Sequence, residues 1–129
     1  MKKEIIFLLI IIILIIIMHA VSQIYTQNFF DEISDDINSI EDKIINDDIQ
    51  NSNLKDSIEK ILDKWDSKYK LFACYIEHDE LEKVKTQLIS IRACIIVEDY
   101  KKTVDEIEVC KFVLKHIEDK DSLKILNIF

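Results

Sequence analysis

Glycine and proline are both absent from this chain of 129 residues. A chain of that length ordinarily carries about nine glycines and six prolines. Their joint loss removes the usual hairpin turns, the left-handed helix caps and the loops that cradle phosphates. Sheet-rich folds become improbable, and an all-helical fold is the natural outcome. There is no basic stripe of the kind nucleic acid requires, since the formal net charge is −8. Metal-site spacings are missing too: no Cys-x-x-Cys, no His-x-x-x-His and no Asp-x-Asp-x-Asp-Gly calcium loop occur. The serines never sit in a Gly-x-Ser-x-Gly elbow, so a hydrolase of that design is excluded.

What the chain does have is a long apolar run at its start. Ile5 to Ile17 are thirteen consecutive apolar residues, nine of them isoleucine, preceded by Met1-Lys2-Lys3-Glu4. Ile5 through Tyr25 is interrupted only by His19, Ser22 and Gln23. As a helix rising about 1.5 Å per residue, those 21 residues span roughly 31 Å, enough for a hydrocarbon core of about 30 Å. In lipid the backbone must satisfy itself internally, which overrides the indifferent helix propensity of isoleucine. The favoured reading is a retained transmembrane anchor over residues 1–25, holding the bilayer through Ile5 to Tyr25. The competing one is a secretory signal cleaved after Ser22. Lysines precede the span and none follows until Lys43, so the positive-inside bias expects a single-pass protein of the cytoplasmic membrane with its N-terminus inside.

Residues 26–129 are expected to form an extracytoplasmic helical bundle. Ile33, Ile37, Ile40 and Ile44 step by 4, 3 and 4 along a first helix running to about residue 50. Asn51-Ser52-Asn53 supplies a turn and an N-cap. A second helix is expected over 54–77, with Leu54, Ile58, Ile61, Trp65, Phe72 and Ile76 inward. His78-Asp79 reads as the next break, Asp79 and Glu82 resembling a capping box. A third helix over 80–97 carries Leu81, Val84, Leu88, Ile91 and Ile95, and Asp99 caps a fourth over 100–117. Glu118-Asp119-Lys120-Asp121 reads as a turn before an apolar tail. Short connections force antiparallel neighbours. The expected fold is therefore all-α: an N-terminal transmembrane helix continuing into an antiparallel up-down-up-down helical bundle.

That topology sorts the polar residues by height. The turn at His78, the end of the fourth helix at His116 and the terminal Phe129 are expected near the membrane. Residues 31–50 hold eight acidic side chains against Lys43 alone, read as a solvated helix face just outside the bilayer. Three cysteines are read as small buried thiols, with Cys74–Cys110 the one pairing that helix heights allow, and only if helices two and four touch. His78, Glu80 and His116 are weak candidates for a metal site, since imidazole and carboxylate are ordinary zinc ligands. No cofactor and no catalytic residue is expected. Contact surfaces are expected at His78, Asp79 and Glu80 and at Ile125, Ile128 and Phe129.

The N-terminal span with its lysines, Trp65, Ile76-Glu77-His78-Asp79-Glu80, Leu114-Lys115-His116-Ile117 and the closing Asn127-Ile128-Phe129 together resemble a family of small bacterial anchored proteins, domain of unknown function 4363. The likeness covers nearly the whole chain, although Phe72 stands where the family pattern has a second tryptophan. The resemblance implies a bacterial source of Gram-positive type and a multi-pass membrane protein as neighbour, and it brings no activity with it. The expected role is a non-enzymatic accessory or interaction protein. The alternative is an extracytoplasmic ligand- or metal-binding sensory module.

Overall fold

The computed structural model describes residues 1–50 and 52–128, with side chains described only as far as Asp121 in the last helix. It holds four helices: α1 Lys2–Ile45, α2 Leu54–Phe72, α3 His78–Ile96 and α4 Tyr100–Ile128. No strand occurs among the described residues. Each helix packs on the next and α4 closes back on α1, so the four stand at the corners of a square with α2 diagonal to α4. The chain runs up, down, up and down.

α1 is one uninterrupted helix of 44 residues. Its first half, a candidate membrane span, has no buried residue; burial begins at Thr26 and continues through Phe29, Phe30, Ile33, Ile37 and Ile40. The repeating 3 and 4 spacing turns these residues toward the other helices. Facing them are Ile58, Trp65 and Phe72 of α2, Leu81, Leu88 and Ile91 of α3, and Ile107 and Leu114 of α4, all essentially without exposure.

The core is graded along its axis. Its lower half, nearest the apolar end of α1, is aromatic: Trp65 stacks on Phe29 with ring centroids 6.2 Å apart, and Phe72 lies 5.1 Å from Phe29 and 5.7 Å from Phe30. Further up, isoleucine and leucine take over. The Trp65 indole N–H is buried without a hydrogen-bond partner, a loss of about 1–3 kcal/mol that the burial of so large a ring outweighs.

Left-handed caps form without glycine, contrary to the expectation from composition. After α1 the chain turns at Asp47 (φ 56°) and after α3 at Glu98 (φ 59°). In each case two backbone bonds seal the helix end. Asp48 N–H reaches Lys43 O at 2.9 Å and Asp47 N–H reaches Ile44 O at 3.2 Å, while Asp99 N–H reaches Cys94 O at 3.0 Å and Glu98 N–H reaches Ile95 O at 3.1 Å. These are Schellman closures that satisfy otherwise orphaned carbonyls. The first one stops α1 at Ile45, short of the expected residue 50.

Two further boundaries differ from expectation. α2 ends at Phe72, and the break lies at 73–77 rather than at His78-Asp79. The chain leaves helix early because Ile76, bonded through its N–H to Phe72 O at 2.7 Å, folds in as a buried plug under the core. Asp79 is therefore inside α3 and caps nothing; Glu77 is the N-cap and makes no side-chain cap bond. α4 continues through Glu118-Asp119-Lys120-Asp121 to Ile128, so the expected turn, and the tail as far as Ile128, are helix. Within this helical flank Lys120 pairs with Glu77 at 3.4 Å and Glu80 at 3.5 Å on the α3 side. The expected caps at Asn53 and Asp99 are present: Asn53 Oδ1 accepts from Asp56 N–H at 3.1 Å and Asp99 Oδ1 from Lys102 N–H at 3.2 Å.

Candidate functional site

Ion pairs fix the heights of the helices against one another. Lys64 Nζ donates to Glu32 at 2.9 Å and Asp36 at 2.7 Å, pinning α2 to α1. Lys111 Nζ donates to Asn38 and Glu41, each at 2.9 Å, pinning α4 to α1. Lys85 with Asp66, and Arg92 with Glu59 at 3.4 Å, tie α3 to α2. The acidic stretch on α1 is thus not merely a solvated face: Glu32, Asp36 and Glu41 are interhelical partners. The two carboxylates beside Lys64, through hydrogen bonds to Asp36 and then Glu32, raise its ammonium above the ordinary lysine range.

The base of the bundle is the best-defined chemical neighbourhood. The Thr26 hydroxyl donates to Ser22 O at 2.8 Å, which leaves its oxygen to accept from the Tyr75 phenol at 2.6 Å. Ser22 in turn donates to Met18 O at 2.9 Å, so hydroxyls at the end of the apolar helix are satisfied by backbone one turn back. This chain of bonds places the turn at 73–77 level with the upper end of the apolar segment. Tyr25 completes the base: its ring lies 6.3 Å from that of Phe72, and Lys68 Nζ stands 5.6 Å above its centroid.

The candidate metal residues are engaged separately. His78, first residue of α3, sets its ring against the Tyr69 hydroxyl, which also donates to Glu82 at 2.8 Å. Burial, aided by the Glu82 carboxylate, pushes the Tyr69 phenol up to about 12, so it remains a donor at neutral pH. His116 lies on the outer side of α4 with its ring stacked on Phe112, centroids 6.3 Å apart. Glu80 is buried, its Oε1 at 3.5 Å from both Lys83 and Lys120 and its Oε2 unpartnered. No group of three or more His, Cys, Asp or Glu side chains suited to a metal ion occurs among the described residues. Asp79 is exposed in the first turn of α3, where a carboxylate suits the positive end of the helix. Ile125 and Ile128 fall within α4, but their side chains and Phe129 lie outside the described residues.

Only part of the thiol expectation holds. Cys94 and Cys110 are buried, and burial pushes the Cys110 thiol up to about 12, so it is no nucleophile. Cys74 is exposed on the basal turn, not buried, and all three are free. A Cys74–Cys110 bridge is closed off because α2 and α4 are diagonal.

Three features were not legible in the residue pattern. On α4, Val109 and Phe112 face outward, Phe112 being 71% exposed; being three apart and out of phase with the core stripe was the only available signal. Glu118 faces Asp31 across the α1–α4 seam. Burial, then the Asp31 carboxylate hydrogen-bonded to it, pushes its carboxyl up to about 7 against the opposing pull of Lys115. Phe29 and Phe30 belong to the core although they follow the apolar segment almost directly, where composition alone does not separate lipid contact from core packing.

These elements define a class: a four-helix bundle whose first helix extends downward as a long apolar rod. The chain matches the family model described as Domain of unknown function (DUF4363) over residues 20–128, and it belongs to that family. No curated protein and no solved structure matches it.

Proposed function

We propose that the protein is a single-pass membrane protein whose bundle stands outside the cytoplasmic membrane as a non-catalytic accessory or interaction subunit. One observation carries this reading: α1 runs without a break from Lys2, through an apolar segment with no buried residue, into the bundle core at Thr26. A rod continuous with the core transmits its position rigidly, which suits a device that holds a surface at fixed height. The lysines before the span, with no lysine or arginine after it until Lys43, support an N-terminus inside. The role is non-enzymatic on the same grounds. The core is filled by packed side chains, the Cys110 thiol is held protonated, and the polar residues are spent on holding helices together. The outward Val109 and Phe112 are an exposed apolar pair on the side of the bundle, suited to the extramembrane part of a partner.

The test combines retention with topology. The protein should stay in membranes at alkaline pH with its N-terminal lysines intact, and V97C at the far turn should react with an impermeant maleimide in intact cells. A mature chain beginning at Gln23 would end the anchor reading. Labelling of V97C only after lysis would reverse the orientation. Crosslinking from Phe112 in native membranes should then capture a multi-pass protein.

A further inference from the structure

Between α1 and α2, at the base, lies an open groove of about 390 Å³, lined by Tyr25, Asn28, Phe29, Lys64, Ser67 and Lys68, with Glu32 at its upper end. Its cations differ. Lys64 is neutralised by Glu32 and Asp36. Lys68 makes no ion pair among the described residues and stands over the Tyr25 ring. Ser67 spends its proton on Lys64 O at 2.6 Å and has none to offer a ligand. Lys68 is therefore the charge available to an anion, with the exposed Asn28 amide beside it.

Below the groove the chemistry changes sign. One turn down α2 is Leu71, 48% exposed, and one turn down α1 are Ile24 and Val21, both exposed. The stripe Lys64, Lys68, Leu71 on α2 runs beside Glu32, Asn28, Tyr25, Val21 on α1, charged above and aliphatic below. Tyr25 ends an apolar helix segment roughly 31 Å long, so the change falls at the edge of a hydrocarbon core of about 30 Å. A phospholipid has this same order: phosphate above, glycerol at the boundary, acyl chain beneath.

We propose that the α1–α2 groove is a phospholipid site. Lys68 takes the headgroup phosphate, Asn28 donates beside it, Tyr25 and Phe29 flank the glycerol, and the acyl chain lies along Leu71, Ile24 and Val21. The basal turn then sits in the headgroup layer, and the bundle rests on the bilayer instead of standing off it on a bare stalk. Lipid is favoured over a protein partner because the polarity gradient coincides with the end of the span. This proposal rests on the membrane-anchored reading above.

Cys74 supplies the test, since it is the exposed cysteine on the basal turn while Cys94 and Cys110 are buried. Full-length protein is reconstituted in phosphatidylglycerol or phosphatidylcholine vesicles and spin-labelled at Cys74, with V97C (C74S) as the reference for water. The expected result is a Cys74 label at headgroup depth in both lipids and a V97C label in bulk water. After transfer to detergent, native mass spectrometry should find phosphatidylglycerol retained. Retention should weaken about fivefold in K68Q and further in K68E, at unchanged melting temperature. Inorganic phosphate in excess should not displace the lipid; if it does, the site is one for free anion. A Cys74 label in bulk water, or equal retention by K68E, overturns the proposal while leaving the anchor reading standing. Failure of the protein to enter vesicles at all sinks both.

Discussion

The Tyr75 phenol lies 2.6 Å from the Thr26 hydroxyl, joining the basal turn to the point where the apolar helix becomes core. Thr26 is 3% exposed, so its oxygen has little water to replace a lost partner. Y75F and T26V should each lower stability by about 1 kcal/mol, with a coupling energy of similar size in the double-mutant cycle. Thermal unfolding of the full chain in detergent micelles measures this. A coupling near zero would mean the two residues do not communicate.

Glu118 makes stability depend on pH near neutrality. Its folded value is about 7 against an ordinary 4.5, so between those values the folded chain holds a proton that the unfolded chain has released. Stability must therefore fall as pH rises through that window, and the loss is complete above about 7. The groups facing it are Asp31 on α1 and Lys115 and Asp119 on α4. Because the site is partly open to solvent, the change amounts to only about 1 kcal/mol. Melting curves from pH 4.5 to 8 should show the decline in the native chain and a flatter profile in E118Q; identical profiles would place the titration elsewhere.

Glu98 holds φ at 59° and Asp47 at 56°, a region that costs residues with a Cβ about 1–2 kcal/mol. Glycine relieves that strain but adds freedom to the unfolded chain, a loss of roughly 0.4–1 kcal/mol. E98G should be stabilising by about 0.5–1 kcal/mol, and D47G by less because aspartate tolerates this conformation better. Chemical denaturation reads the difference. A destabilised E98G would show that its side chain makes a compensating contact.

Much of the architecture is legible from residue order alone. Ile33, Ile37 and Ile40, or Leu81, Val84, Leu88 and Ile91, repeat at helical spacing, and no glycine or proline interrupts them. Asn53 and Asp99 announce helix starts because a short polar side chain satisfies the free N–H groups of the first turn. These signals are local. Their energy is decided within a few residues, and the all-helical fold with its apolar rod follows from them.

What remained hidden depends on partners distant in sequence. Glu118 to Asp121 resembles a turn until Asp31 and Glu80 are set beside it, and His78 resembles a break until Ile76 is seen sealing the core two residues earlier. Cys74, Cys94 and Cys110 look alike in the chain, yet only the packing separates one exposed thiol from two inert ones. Local hydrogen bonding and hydrophobic periodicity determined that this chain builds its described elements from helix alone. Where each helix ends, which charges pair and which thiols are buried were decided by contacts between helices, because burial and pairing are properties of what arrives from elsewhere.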